Sequence, residues 1–332
     1  MKASGLLERT SGRVLSLTAA AAMSVSLGAG SAWAQAQTWI AGTAVSPGDS
    51  IAQATDYFAE RVTALTGGGI VVERHHGAAL GGDRDLLESI LQGAIQVATP
   101  GQALLSGWYS PAEVWTFPYL FNSVEHKDRV WDAIRDDYAA EVAAEAGLRP
   151  LVSVPRGPRQ LTANKVVRTP ADKRGLKIRV PETQMWMRSF EMFGASPTAL
   201  PFPEVYQSLR AGIIDGQDNP IGLSWNSGFF EVNTHLSLTE HMMQDNVIVI
   251  GEAAYQALTD EQREAVQQAA RETEAEFRNR LAATEAALLQ RIRDAGIVVT
   301  EVDKEAFRQS IAGLEDEFPH IRKWVDRARE IE

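Results

Sequence analysis

The 332-residue sequence has a formal net charge of −11, 45% hydrophobic residues and no cysteine. An acidic chain lacks the basic face that nucleic-acid binding requires, so no nucleic-acid partner is expected. The absence of cysteine excludes disulfides, thiolate metal sites and cysteine nucleophiles. The length exceeds that of a usual single core and predicts two lobes.

Residues 1–34 have the pattern of a secretory signal peptide. A basic segment comes first, residues 14–27 are apolar, and residues 32–34 (Ala-Trp-Ala) supply small side chains before a cleavage site. The apolar run is too short to span a bilayer, which needs about 20 residues. We predict secretion to the periplasm of a Gram-negative bacterium, with Gln35 as the first mature residue. The alternative is an uncleaved N-terminal anchor.

The first part of the mature chain alternates strand and helix patterns. Strands are predicted at residues 38–45, 70–73 and 95–98. Asp49 or Ser50 caps a first helix with apolar side chains at spacings of three and four, and a second helix begins at Asp83. This order implies a mostly parallel sheet with right-handed crossovers.

A helix near residues 126–146 and a strand at 150–154 lead into a second α/β unit. Its predicted elements are a strand at 176–180, a helix at 182–193, a turn at 194–197 and a helix opened by Pro203. Ile213 and Ile214 begin a short strand, and the polar residues after it are predicted as a loop ending at Asn219.

The remaining chain returns to the first lobe and ends in helices. Residues 247–250 are β-branched and predict a buried strand. Thr259 begins a helical pattern that continues to about Asp294, long enough to lie across both lobes. A strand at 297–302 and a helix from Asp303 to about 312 follow.

Arg179 is the strongest candidate binding residue. It stands near the end of an apolar strand that Pro181 stops, at the mouth of an α/β unit. A guanidinium matches a carboxylate in planar, two-pronged geometry, so this position suits an anionic ligand. Pairing with a neighbouring acid, Glu182 or Asp215, is the alternative that the residues alone leave open.

Four segments, in order, resemble the solute-binding proteins of tripartite ATP-independent periplasmic (TRAP) transporters of the dicarboxylate-binding (DctP) type. They are residues 80–98 (LGGDRDLLESILQGAIQVA), 117–121 (FPYLF), 159–165 (RQLTANK) and 175–220, which contains GLKIRVP, GASPTALPFPEVYQSL and DGQDNP. The resemblance covers essentially the whole mature chain.

The resemblance implies a periplasmic-binding-protein-like α/β fold. Two lobes are joined by hinge strands and a long C-terminal spanning helix, with a ligand cleft between them. Lobe I would comprise residues 35–156 plus 245–284, and lobe II residues 157–244 plus 285–332. The implied function is capture of an organic acid for a two-subunit membrane permease driven by an ion gradient. No cofactor is expected, which agrees with the absence of a GxxxxGK[ST] segment.

The resemblance also assigns site residues. Arg179 corresponds to the arginine that clamps the ligand carboxylate, Arg159 to a second ligand-facing arginine, Asn219 to a loop asparagine, Phe202 to a pocket aromatic and Asn246 to a polar position on the return strand. Asn219 could instead only form an Asn-Pro turn. Asp218 replaces the usual glutamate, which is a conservative difference.

Two acids complete the predicted site. Asp83 is a candidate acceptor for ligand hydroxyls, with capping of the following helix as the alternative. Glu182 is the second candidate, and it replaces the asparagine of the sialic-acid and ectoine branches. Gly101 and Leu104 stand where sialic-acid binders carry glutamate and arginine. Sialic acid and ectoine are therefore disfavoured as ligands. Arg156 is expected to be a surface charge, with an extra ligand contact as the alternative.

A carboxylate clamp among acidic and amide groups suits a polyhydroxylated acid, a uronate or an aldonate. The aromatic residues that could stack on a sugar ring, each expected individually in the core, are Trp108, Tyr109, Trp115, Trp186 and Trp225. A C4-dicarboxylate or other small carboxylate is the alternative ligand, and a sensor-kinase receptor or a sugar-acid-processing enzyme the alternative role.

An enzyme is disfavoured because the sequence has no GxSxG or HExxH motif and no cysteine nucleophile. No metal site is expected either. His75 and His76 are adjacent on a predicted strand, and adjacent strand residues point to opposite faces.

Overall fold

The computed structural model describes residues 36–331. The predicted signal peptide lies outside these residues. Two β-sheets organise the described chain, with helices packed around them. This combination of sheets and helices is the α/β class predicted from the sequence.

The first sheet has five strands in the spatial order β2-β1-β3-β10-β4. Its strands are β1 (Gln37–Gly42), β2 (Ile70–His75), β3 (Val97–Ala98), β4 (Leu148–Val154) and β10 (Asn246–Gly251). Strands β1, β2 and β3 are parallel, as predicted, and β10 pairs antiparallel to both β3 and β4.

The second sheet has six strands in the order β11-β9-β5-β8-β6-β7. Its strands are β5 (Arg159–Ala163), β6 (Lys177–Val180), β7 (Ser196–Ala199), β8 (Gly216–Pro220), β9 (His235–Leu238) and β11 (Val298–Glu301). Strand β8 is an interior strand, antiparallel to β5 and parallel to β6.

The seven predicted α-helices are present among residues 36–331, together with four others that were not predicted. They are α1 (Ser50–Leu65), α2 (Asp83–Leu91), α3 (Val124–Ala146), α4 (Gln184–Met192), α5 (Val205–Arg210), α6 (Ile221–Asn226), α7 (Glu252–Gln256), α8 (Asp260–Asp294), α9 (Lys304–Ser310), α10 (Leu314–Glu317) and α11 (Arg322–Arg329). Asp49 caps α1 by accepting from the Ile51 amide.

Helix α8 is the predicted long helix. Thr259 and Gln262 form a reciprocal capping box at its start, which satisfies two otherwise free amides. Phe277, in its middle, packs in a core that includes Phe58 of α1, whereas Ile292, near its end, packs with Leu236 of β9. The helix therefore contacts the cores beside both sheets.

Three local predictions were wrong. The polar residues predicted as a loop ending at Asn219 form strand β8, which is buried throughout. The turn predicted at 194–197 runs into strand β7, and the helix predicted from Pro203 begins as a 3₁₀ turn, Phe202–Glu204. Polarity alone misassigned β8, because its buried side chains find hydrogen-bond partners on other elements, such as Arg159 of β5 and Trp186 of α4.

The lobe boundaries remain a prediction. Two segments of chain connect the sheets, one from β4 to β5 and one from β9 to β10. Helix α8 also contacts the cores beside both sheets. Helix α11 packs on the first-sheet side, where the Trp324 indole donates to the Tyr109 hydroxyl at 2.9 Å and its ring lies edge-on to Tyr138.

Candidate functional site

The second sheet brings three predicted ligand residues to one edge. Arg179 lies near the carboxyl end of β6, and Asn219 lies near the carboxyl end of the parallel strand β8. Arg159 begins the antiparallel strand β5 on the other side of β8. The carboxyl ends of parallel strands are the usual place for a ligand in α/β sheets, which is why these side chains converge.

A cavity of about 230 Å³ opens at this edge. All seven predicted ligand residues line it: Asp83, Arg159, Arg179, Glu182, Phe202, Asn219 and Asn246. Asp83 begins helix α2 and Asn246 begins strand β10, so these two come from the first-sheet side. The structure thus places the seven residues together, and their contact with a ligand stays a prediction.

Arg179 is buried, with 3% of its surface exposed. Its Nε and Nη2 atoms donate to the Leu200 carbonyl at 2.9 and 2.7 Å. No carboxylate within residues 36–331 forms an ion pair with it; Asp215 instead accepts from the Lys177 amide. Burial lowers the pKa of Arg179 to about 10, with Asp218 partly opposing the shift. This guanidinium is a desolvated cation directed at a cavity.

Arg159 differs from Arg179 because it has an internal counter-ion. Its Nε atom donates to Asp218 at 2.7 Å, and its Nη2 atom donates to the Asp218 carbonyl and to Asn219 Oδ1 at 2.6 and 2.9 Å. Its Nη1 atom donates to Gln244 at 3.3 Å. The guanidinium also lies 4.9 Å from the ring centroid of Trp186, so its orientation is held on several sides.

Asp218 is the residue whose importance the sequence did not reveal. It is fully buried, and Oδ2 accepts from Arg159, from the Trp186 indole at 3.3 Å and from His241 Nε2 at 3.2 Å. Burial opposes its ionisation, but Arg159 and His241 hold the pKa of Asp218 well below its usual range. Burial lowers the pKa of His241 to about 4, so that ring is neutral.

Arg156 corrects the expectation of a surface charge. The side chain is buried, its Nη1 atom lies 2.9 Å from Asp49 Oδ1, and its Nε atom donates to Asn246 Oδ1 at 2.9 Å. Asn246 in turn donates to the Thr99 carbonyl. Arg156 lines the cavity and orients a predicted ligand residue. Nothing in the sequence indicated the ion pair between Arg156 and Asp49, because Asp49 was predicted only as a helix cap.

The two predicted acids both line the cavity. Asp83 accepts from the Gly101 amide at 3.3 Å, whereas it is Asp85 that accepts from the Gly82 amide at the start of α2. Capping, the alternative role, therefore belongs to Asp85. Burial raises the pKa of Asp83 to about 6. Glu182 is exposed.

The aromatic residues considered for stacking on a sugar ring lie in different parts of the structure. Trp186 lines the cavity, while Tyr109 and Trp115 are buried in the core. Trp225 lies elsewhere, with the Arg291 guanidinium 5.1 Å from its ring centroid. Phe202 also lines the cavity, and its ring centroid lies 6.0 Å from the Arg179 guanidinium carbon.

His76 has structural partners rather than a ligand role. Its ring bonds to Asp56 and to Thr43, both at 2.9 Å. Within the described part of the chain, no cluster of three or more histidine or acidic side chains could hold a metal ion.

Comparison with known proteins gives consistent matches. The family model of bacterial extracellular solute-binding proteins, family 7 (DctP), matches residues 41–319. A solute-binding protein of Roseobacter denitrificans is 33% identical over 252 residues, which is 76% of this chain and 77% of that protein.

Two crystal structures of TRAP periplasmic solute-binding proteins from Roseobacter denitrificans are similar to the chain. One, with bound β-D-glucuronate, has a TM-score of 0.86 and 30% identity, covering 89% of this chain and 100% of that chain. The other, with bound L-galactonate, has a TM-score of 0.82 and 30% identity, covering 87% and 99%.

The fold, the cavity and these matches define a solute-binding receptor, as the sequence predicted, and not an enzyme. The chain belongs to the DctP family of bacterial extracellular solute-binding proteins and is of the TRAP transporter type. Among the helices of residues 36–331, none is long and apolar enough to cross a bilayer.

Proposed function

We propose that this protein is a periplasmic receptor that captures a sugar acid, a uronate or an aldonate, and delivers it to the membrane subunits of a TRAP transporter. Arg179 clamps the ligand carboxylate. Arg159 and Asn219 support it on one side, Phe202 forms part of the wall, and the polar side chains across the cavity contact the hydroxyls.

The single observation that carries this proposal is the state of Arg179. A buried guanidinium without a protein carboxylate is unfavourable unless something anionic completes its coordination. A guanidinium has five N–H groups, and the Leu200 carbonyl takes two of them. Three remain, which is enough for a two-pronged bond to a carboxylate.

The rest of the cavity supports a hydroxylated ligand. Asp83 and Glu182 are acceptors for hydroxyl groups, and Asn219, Asn246 and Gln244 line the same cavity. Trp186 adds an apolar surface to these polar groups. The related structures hold a uronate and an aldonate, which combine one carboxylate with several hydroxyls.

The finer features follow from the same proposal. Residues 1–34 direct secretion and are removed after Ala34. Lobe I (35–156 plus 245–284) and lobe II (157–244 plus 285–332, whose helix α11 packs back on the first-sheet side) close on the ligand, and the closed form docks on the permease. Closure needs the ligand to favour the closed state by its differential affinity. Mass spectrometry of the exported protein measures the cleavage point.

Binding is tested by thermal-shift screening followed by calorimetric titration. The panel contains uronates, aldonates, C4-dicarboxylates and neutral sugars. Stabilisation by uronates or aldonates with saturation at one ligand per chain supports the proposal. Stabilisation by a plain C4-dicarboxylate and by no sugar acid would refute it in favour of the dicarboxylate alternative.

Closure is tested by small-angle scattering of the wild-type protein and of Arg179→Ala. The wild-type protein should contract on addition of the acid identified by titration, and the variant should not. Equal contraction of both proteins would show that Arg179 is not the clamp.

A further inference from the structure

Three buried arginines border the cavity, and they differ in charge compensation. Arg156 pairs with Asp49 at 2.9 Å, and Arg159 pairs with Asp218 at 2.7 Å. Within residues 36–331, Arg179 has no carboxylate at ion-pairing distance. The cavity therefore offers a ligand one positive charge that is not already matched by the protein.

The N–H groups of Arg159 lead to the same conclusion, because most of them already have partners in the protein. Arg159 uses Nε for Asp218, both Nη2 hydrogens for the Asp218 carbonyl and Asn219, and one Nη1 hydrogen for Gln244. One of its five N–H groups remains for a ligand. Such an arginine can add a hydrogen bond, but it cannot serve as a second two-pronged carboxylate clamp.

The opposite charge is in excess around the same cavity. Asp83 and Glu182 line it, and neither forms an ion pair with a described residue. Asp85 also lines the cavity, whereas Arg84, which lines it too, is paired with Glu88. Burial raises the pKa of Asp83 to about 6, so this carboxyl remains largely ionised at neutral pH.

We propose that this charge balance makes the site selective for monoanions. It accepts a polyhydroxylated monocarboxylate and rejects the dicarboxylate of the same carbon chain. Asp218 and Asp83 are the specificity-determining residues. Asp218 neutralises Arg159, so that Arg159 cannot clamp a second carboxylate. Asp83 accepts a hydrogen bond from a ligand hydroxyl but repels a carboxylate. The inference rests on the proposed sugar-acid function and deepens it.

The physical basis is the asymmetry between a hydroxyl and a carboxylate at one position of the ligand. An ionised aspartate is an acceptor only, so it binds a hydroxyl hydrogen and has nothing to offer a second carboxylate. Juxtaposed like charges in a desolvated site are strongly unfavourable. We expect a difference in affinity of at least about tenfold, the equivalent of about 1.4 kcal/mol.

The test compares galactonate with galactarate by calorimetric titration near neutral pH. The two acids differ at one end of the same six-carbon chain, which carries a hydroxymethyl group in galactonate and a second carboxylate in galactarate. Wild-type protein should bind galactonate at least about tenfold more tightly. In Asp83→Asn that ratio should fall severalfold, mainly because galactarate binds better.

Glu145→Gln is the matched control, since Glu145 is an exposed acid of α3 that does not line the cavity; its ratio should equal that of the wild type. Asp218→Asn, which frees the charge of Arg159, should shift the ratio in the same direction as Asp83→Asn. Because Asp218 is buried, Asp83→Asn is the decisive variant if Asp218→Asn does not fold.

Equal affinity of the wild type for both acids, or tighter binding of galactarate, would overturn the charge rule while leaving the acid site in place. An unchanged ratio in Asp83→Asn would overturn the assignment to Asp83. Saturation by neither of these acids and by no other sugar acid would overturn both this inference and the proposed function, so the two failures are distinguishable.

Discussion

Replacement of Arg179 by glutamine should abolish tight binding of the acid. The side chain is 3% exposed, and its guanidinium faces the cavity without a carboxylate partner among the described residues. Removing one partner of a buried, hydrogen-bonded ion pair costs roughly 3–5 kcal/mol. At about 1.4 kcal/mol per decade, the dissociation constant should rise a few hundred- to a few thousandfold.

The same substitution should have little effect on the ligand-free protein. Burial lowers the pKa of Arg179 from 12.5 to about 10, which reflects the cost of keeping the cation away from water. That difference corresponds to about 3 kcal/mol at most. Glutamine removes this cost and loses the bonds to the Leu200 carbonyl, which stabilise the protein by about 1–3 kcal/mol. The two effects should largely cancel.

The assay is calorimetric titration with the best acid of the panel, together with urea unfolding of the ligand-free proteins. Arg84→Gln is the control, because Arg84 borders the same cavity but is exposed and paired with Glu88. An exposed pair contributes at most about 1 kcal/mol, so its affinity should fall by no more than about fivefold. Binding by Arg179→Gln within tenfold of the wild type would refute the clamp, as would an equal loss in Arg84→Gln.

Three further predictions concern stability. Gly157 has φ +80°, and an added Cβ would lie 2.8 Å from Glu285 Oε1. Gly157→Ala should therefore lower the free energy of unfolding by about 1–2 kcal/mol in urea titrations. An unchanged urea midpoint would contradict this. Burial raises the pKa of Glu285 from 4.5 to about 7, so its ionised form destabilises the fold above that pH. Glu285→Gln should therefore raise stability by about 1 kcal/mol near pH 8, after allowance for partial exposure, and the gain in thermal unfolding should vanish as the pH falls to about 4.5. A gain independent of pH would exclude this cause. Arg156→Gln leaves Asp49 buried without its cation and should cost about 3–5 kcal/mol in urea unfolding, unlike Arg179→Gln; equal stability of the two variants would contradict the pairing.

Much of the fold could be predicted because its signals are local. The capping residues Asp49 and Thr259 lie next to the helices they begin, and the apolar periodicity of α1 matches its buried face. The long helix α8 was predicted within one residue at each end. Local hydrogen bonds and a 3.6-residue period are properties of a short segment, so a short segment suffices to predict them.

Strand β8 and Arg156 show where this reasoning fails. The residues of β8 are polar, and polarity alone indicated a loop, yet Asp218 is satisfied by Arg159, Trp186 and His241 from other elements. A buried polar strand is stable only when such partners exist, and their positions are a tertiary property.

The sequence by itself determined the family, the order of most elements and the chemistry of the main candidate, Arg179. Only the tertiary structure decided which arginine is available to a ligand. Arg156 and Asp49 are 107 residues apart, and Arg159 and Asp218 are 59 apart. The charge on a guanidinium is encoded in its own residue, but its neutralisation depends on which carboxylate the fold brings within about 3 Å of it. For that reason the free charge of Arg179 was identified only when the neutralised charges of its two neighbours were seen.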